Sequence, residues 1–134
     1  MVGVRRKGVA IVETPKGILV VAGKSKNFML PGGGANKGES RMNSAIRELK
    51  EETNLDTKTC KYLFNYRGKK WKSHNGTIIR NFGKVFFVTA RGTAKPKHEI
   101  KYIDYYSPNK KINISSGTKK IIEMYWEMKK NGEL

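Results

Sequence analysis

Apolar positions along the chain fall into short runs of two periodicities. Gly8–Thr14 and Ile18–Ala22 are dense in Val and Ile, and Pro15-Lys16-Gly17 between them predicts a turn, so the pair reads as a β-hairpin. Asn27–Leu30 is a short apolar stretch. Pro31-Gly32-Gly33-Gly34 after it reads as a flexible loop that lets backbone approach a ligand. From Glu39 to Thr53 the period changes: Met42, Ala45, Ile46 and Leu49 recur at three- and four-residue spacing, which predicts a helix. Asn54 is its expected stop, because Asn tolerates the left-handed conformation.

Further strands are expected over Lys61–Tyr66, Thr77–Phe82, Lys84–Ala90 and Ile100–Tyr106, with a polar, basic loop at Gly68–Gly76. Pro108–Asn113 reads as loop. Ser115-Ser116-Gly117-Thr118 offers helix-start residues, and a last helix is predicted over Thr118–Lys130 with Ile121, Ile122, Tyr125 and Met128 as its apolar stripe. Strands with two helices, no repeat and no linker predict one layered α/β domain of the α+β type over residues 1–134.

Composition narrows the chemistry. The single cysteine, Cys60, excludes an intrachain disulfide and a cysteine-based zinc site, and two histidines, His74 and His98, argue against a His-rich metal centre. No apolar run approaches the ~20 residues of a membrane span. Only short apolar runs follow Arg5-Arg6-Lys7, so no signal peptide is read and a cytoplasmic protein is expected. The net charge of +17 suggests a polyanionic partner or simply a Lys-rich solvated surface. Its distribution is more telling. Residues 39–56 hold five of the 11 acids and carry a net −2, against +19 for the remainder.

On a helical wheel Glu48, Glu51 and Glu52 share a face about 100° wide, separate from the apolar face of Met42, Ala45, Ile46 and Leu49. Like charges at helical spacing repel by a few tenths of a kcal/mol, so a compensating cation is expected. Arg47, four residues before Glu51, is within ion-pair reach. A divalent ion also suits three hard oxygen ligands, and Mg²⁺ recruits substrate phosphates to complete its shell. A plain solvated helix face accounts for the same residues.

The spacing decides between these readings. Gly33, five residues, Glu39, seven residues, then Arg47-Glu48-Leu49-Lys50-Glu51-Glu52-Thr53-Asn54-Leu55 resembles the Nudix box, G-x5-E-x7-R-E-U-x-E-E-x-G-U. One defined position differs: Asn54 stands where the family has Gly, at the helix close. Phe28–Gly34 is also similar to the family's approach to the box. The resemblance implies a MutT-like Nudix fold, a mixed sheet sandwiched between helices, and a metal-dependent pyrophosphohydrolase. Its expected substrate is a nucleoside di- or triphosphate, or a nucleoside diphosphate linked to another moiety.

Carried over by position, Glu48, Glu51, Glu52 and the Gly32 carbonyl match the family's metal ligands, for Mg²⁺ or Mn²⁺. Arg47 matches an orienting residue and Glu39 a supporting one. The general base is Glu48 or Glu99, the latter in a loop before a strand. Gly33, Phe28, Arg5 and Arg80 are candidates for substrate contact, with Phe28, Tyr66 or Trp71 as stacking rings. Each has a plain packing or solvated-charge alternative. The basic, aromatic segment Arg67–Lys72 permits nucleic acid, which is not favoured over a phosphorylated small molecule. The charge also permits an RNA 5′ end or a diphosphoinositol polyphosphate. A catalytically silent Nudix-fold binding module is the competing class, and the survival of all four box glutamates argues against it. Selectivity is expected from loops or from a second copy in a homodimer.

Overall fold

The architecture follows from strands whose two faces are both apolar. A computed structural model describes residues 3–134. The elements run β1 (Gly3–Ile11), β2 (Glu13–Thr14), β3 (Gly17–Ala22), β4 (Gly32–Gly34), α1 (Arg41–Thr53), β5 (Asp56–Lys72), β6 (Ile78–Arg91), β7 (Tyr102–Tyr106) and α2 (Ser116–Lys130). A four-stranded sheet has the order β4-β1-β6-β5, with β1 and β6 parallel and the other pairs antiparallel. A three-stranded antiparallel sheet has the order β2-β3-β7.

Successive strand residues face opposite sides, and here each side has its own helix. Ala10, Val12, Leu19, Phe86 and Val88 pack with Ala45 and Leu49 of α1. Their sequence neighbours Ile11, Ile18, Val20 and Val85 pack with Ile121, Ile122 and Tyr125 of α2. The mixed sheet is thus sandwiched between helices, as expected. No helix among the described residues is long and apolar enough to cross a membrane.

Local signals set the helix ends. Ser40 caps α1 by accepting from the Asn43 N–H at 3.0 Å, and Ser115 caps α2 by accepting from the Thr118 N–H at 3.3 Å. Asn54 closes α1 at φ 66°, the left-handed cap expected of it.

The strands depart from expectation in ways that pairing explains. β1 begins at Gly3 rather than Gly8, because the basic stretch Val4–Lys7 is paired along β6 from Arg80 to Gly83. The anticipated hairpin is split: Glu13 pairs Ile18, while β1 belongs to the other sheet. Gly32–Gly34 is a strand against Lys7–Val9, not a flexible loop. The expected loop at Gly68–Gly76 shrinks to a turn at 73–77, with Gly68–Lys72 inside β5, and the strands at 77–82 and 84–90 are one strand, β6.

The buried face of α1 is also turned toward its acids. Met42 is exposed, whereas Ser44, Glu52 and Thr53 are buried with Ala45 and Leu49. Gly8 is the reason. A Cβ there would lie 1.9 Å from the Arg41 carbonyl oxygen and 2.6 Å from Ser44 Oγ, so α1 rests directly on β1 backbone. Gly8→Ala is therefore expected to cost about 1–3 kcal/mol. Gly3→Ala, whose nearest neighbours stand at 3.6 Å, should stay within about 0.5 kcal/mol. Urea denaturation midpoints of the two variants check the contrast.

Candidate active site

Arg47 is the centre from which the acidic face is organised. Its Nε donates to Glu39 Oε2 at 2.9 Å and its Nη2 to Glu39 Oε1 at 3.0 Å. Nη1 donates to Glu48 Oε1 at 2.8 Å and to Glu51 Oε2 at 3.2 Å. Nη2 also reaches the Gly34 carbonyl oxygen at 3.1 Å, tying α1 to β4. The planar fork of guanidinium donors matches this set in a way an ammonium cannot.

The Arg47 fork, with the Asn36 N–H donating at 2.9 Å, holds Glu39 at about 2, well below the usual carboxylate range. The carboxylates in turn hold Arg47 above the ordinary guanidinium range, with Glu39 contributing most. Arg6 donates to the Glu39 carbonyl at 3.0 Å, fixing the segment before α1 to β1.

Glu52 behaves oppositely. It is 7% exposed and accepts from the Gly32 N–H at 2.9 Å. Burial pushes its carboxyl up to about 8; the Gly32 hydrogen bond opposes this, while the charges of Glu48 and Glu99 add to it. A carboxyl held protonated among carboxylates is a place where a cation replaces a proton at little electrostatic cost.

Gly33 makes room for Glu48, since a Cβ there would fall 2.6 Å from Glu48 Cδ. Among the described residues no three carboxylate, histidine or cysteine side chains converge tightly enough to cage an ion. Glu48 and Glu51 are turned to Arg47, and Glu52 to β4. The donors at this face are nonetheless all oxygen, and that chemistry fits a hard divalent cation with open positions for phosphate and water.

Glu99 is exposed but placed by the end of α1. The Lys95 and Lys97 N–H groups donate to the carbonyls of Thr53 (2.9 Å) and Glu52 (3.2 Å), and Lys97 Nζ to Asn54 Oδ1 at 3.1 Å. These bonds hang the 95–99 segment on the helix terminus, near enough for the Glu99 charge to act on Glu52.

Lys7 faces the same acids and was not singled out in the sequence. Burial and the Arg5 charge hold it below the ordinary lysine range, against the pull of Glu52 and Glu48. It could have been found only by carrying β1 back to Gly3, which sets Arg5, Lys7 and Val9 on one face.

A cleft of about 850 Å³ opens from Lys7 and Gly32 between the sheet and the start of α2. Tyr66, Trp71 and Arg80 line it, together with Ser116 and Lys119. Among the proposed substrate contacts, Arg80 lies in this wall, with its Nε buried and lacking a hydrogen-bond partner. Arg5 lies against Gly34 at the edge of β4. Phe28 is corrected: it is 7% exposed, packed in the α2-side core and outside the cleft, so its ring is not offered for stacking.

The family model of the NUDIX domain matches residues 4–125. A nudix hydrolase family member from Chromobacterium violaceum is 33% identical, aligned over 93% of this chain and 78% of its own, with a TM-score of 0.76. The MutT NUDIX hydrolase from Burkholderia pseudomallei is 16% identical over 90% and 96% of the two chains, with a TM-score of 0.74. The MutT protein from Bacillus halodurans is 20% identical over 89% and 80%, with a TM-score of 0.72. These last two show the fold alone. No curated protein matches the sequence. With the box folded around Arg47 and the family model covering nearly the whole chain, the protein belongs to the Nudix hydrolases, a pyrophosphohydrolase-type family of metal-dependent enzymes.

Proposed function

We propose that the chain, as one domain over residues 1–134, is a MutT-like, Mg²⁺-dependent pyrophosphohydrolase. Its substrate is a nucleoside di- or triphosphate, or a nucleoside diphosphate linked to another moiety, and Mn²⁺ is able to replace Mg²⁺. The observation that carries this reading is the adjacency of two unlike surfaces. Glu52, next to the Arg47-bound acids on α1, accepts from the N–H of Gly32, which lines a cleft of about 850 Å³, a size suited to a small-molecule ligand, whose wall also includes Lys7, Arg80 and Lys119.

Glu48, Glu51, Glu52 and the Gly32 carbonyl would hold the cation. When bound, such an ion neutralises phosphate oxygens and lowers the pKa of a coordinated water. The chain's own groups do the rest. Arg47 fixes the rotamers of Glu48 and Glu51. Glu48, or Glu99 on the facing loop, takes the proton of the attacking water. Lys7, lying beside Glu52, meets the phosphate charge from β1, and Arg5 and Arg80 extend that positive rim. Gly33 keeps Glu48 free of a neighbouring side chain.

Two predictions test the assignment. Glu99→Gln separates the candidate bases: with Glu99 as base it should lose about 10²–10⁴-fold in kcat with stabilisation by Mg²⁺ unchanged, whereas a loss in Glu48→Gln alone leaves the role to Glu48, which is also a proposed ligand. Phosphate release from nucleotides with Mg²⁺ measures it, and full activity in both variants would remove both residues from the role.

Glu52 makes a pH prediction. Its folded value of about 8 lies above the ordinary 4.5, so the metal-free folded chain binds more protons than the unfolded chain between these values. Stability of the metal-free protein from this group therefore falls as pH rises through that window. Mg²⁺ must displace the proton, so its apparent affinity should climb with pH up to about 8. Glu52→Gln should keep or raise the metal-free melting temperature near neutral pH while abolishing the added stabilisation by Mg²⁺. Thermal melts with and without Mg²⁺ read both effects; undiminished Mg²⁺ stabilisation in the variant would exclude Glu52 as a ligand.

A further inference from the structure

The far wall of the cleft holds a polar pair that the hydrolytic chemistry does not use. Trp71 near the end of β5 donates from its indole Nε1 to Asn81 Oδ1 of β6 at 3.3 Å, and both residues line the cleft. Trp71 remains 39% exposed. It pairs with Ile79, which makes Asn81 its diagonal neighbour across the ladder. The register of β5 and β6 shifts between Arg67 and Lys70, a bulge that leaves Asn81 without a directly opposed residue on β5, while on its other side it pairs with Arg5 of β1.

This bond fixes which way the Asn81 amide points. An indole N–H is a donor only, so the carboxamide must present its oxygen to Trp71 and its NH₂ elsewhere. Asn81 Nδ2 makes no hydrogen bond among the described residues. Gly68 keeps that nitrogen uncovered: a Cβ there would stand 3.3 Å from Asn81 Cβ and 3.9 Å from Nδ2. The cleft therefore contains an aromatic face with an oriented donor beside it.

The pair also stands at a useful place relative to the acids. Lys7, which faces Glu52 and Glu48, pairs with Gly83, and Asn81 is two residues back along the same face of β6. That is one pleat repeat, about 7 Å, comparable to the span of a sugar between phosphate and base.

We propose that Trp71 and Asn81 form a base-reading subsite that stacks an aromatic base and donates from Asn81 Nδ2 to a carbonyl oxygen on its edge. The subsite favours keto bases (guanine, uracil) over amino bases (adenine, cytosine), whose exocyclic NH₂ would oppose a second donor. This inference rests on the nucleotide-hydrolase reading above and adds the class of nucleotide.

Binding in EDTA tests it apart from hydrolysis. The only other tryptophan, Trp126, is stacked on Tyr106 across the α2-side core, so a Trp126→Phe chain reports Trp71 alone. GTP and UTP are expected to quench that fluorescence at about tenfold lower concentration than ATP and CTP. Inorganic tripolyphosphate should bind without quenching. Calorimetry on the unmodified chain with the same five ligands should give the same order. Trp71→Ala should weaken GTP binding about tenfold or more and leave tripolyphosphate unchanged. Asn81→Asp, which replaces the free donor by an acceptor, should reverse the ratio of GTP to ATP affinity.

Equal affinity for all four nucleotides, or GTP affinity untouched by Trp71→Ala, overturns the subsite. If Mg²⁺-dependent nucleotide hydrolysis persists in that case, the hydrolase reading survives alone. If it is absent too, both fall.

Discussion

Everything at the acidic face depends on one guanidinium. Four glutamates lie within reach of one another on or beside a single helix, an arrangement that opposes itself in water. Arg47 resolves it by donating to Glu39, Glu48 and Glu51 at once and to the Gly34 carbonyl as well. Because one partner is in the segment before α1 and another on β4, the interaction orients side chains and also seats the helix. That seating needs close backbone contact, which Gly8 and Gly33 provide by having no side chain. Glu52, on the buried flank, then meets the Gly32 N–H and loses its water.

The second constraint is the two-sided sheet. Alternating residues of β1, β3 and β6 feed two cores, so the strands have no solvated face where the helices cover them. On β1 the face turned toward α2 passes from Val9 to Lys7 and Arg5, from apolar to basic, near the place where the cleft opens. The site is thus a boundary of the core: burial on one side raises Glu52 and lowers Lys7, and solvent on the other admits a ligand.

What was legible in the sequence was local. The helical period, the Asn54 cap and the spacing from Gly33 to Leu55 depend on residues close in the chain, and α1 and its cap form where they were read, although the helix starts at Arg41 rather than Glu39 and turns Glu52 rather than Met42 inward. The Arg47–Glu51 pair was visible for the same reason. The fork from Arg47 to Glu39 was not, because Glu39 lies before α1 and the helical wheel does not apply there. Strand limits failed where hydrogen bonds come from distant chain. Val4–Lys7 carries little apolar signal, yet it is paired because β6, more than 70 residues later, supplies a partner. Gly32–Gly34 reads as loop by composition and becomes strand by pairing to β1. Asn81 and Lys7 acquire meaning only from that register, and Phe28 looked available because its burial depends on α2 and on contact with Ile114.

The segment from Lys95 to Glu99 hangs on the free carbonyls at the end of α1. Helix ends ordinarily satisfy such groups with water or a cap; here they serve as a mooring for the chain that carries an acid to the site. The loop is consequently measured from the helix as well as from β3, whose Ala22 carbonyl accepts from the Lys101 N–H at 2.9 Å. One residue added between Lys97 and Glu99 would displace the carboxylate while leaving both moorings on α1 intact, whereas one added beside Gly92, ahead of both moorings, would leave the carboxylate where it is. Variation in chain length is tolerated or forbidden here according to which side of a backbone hydrogen bond it falls on.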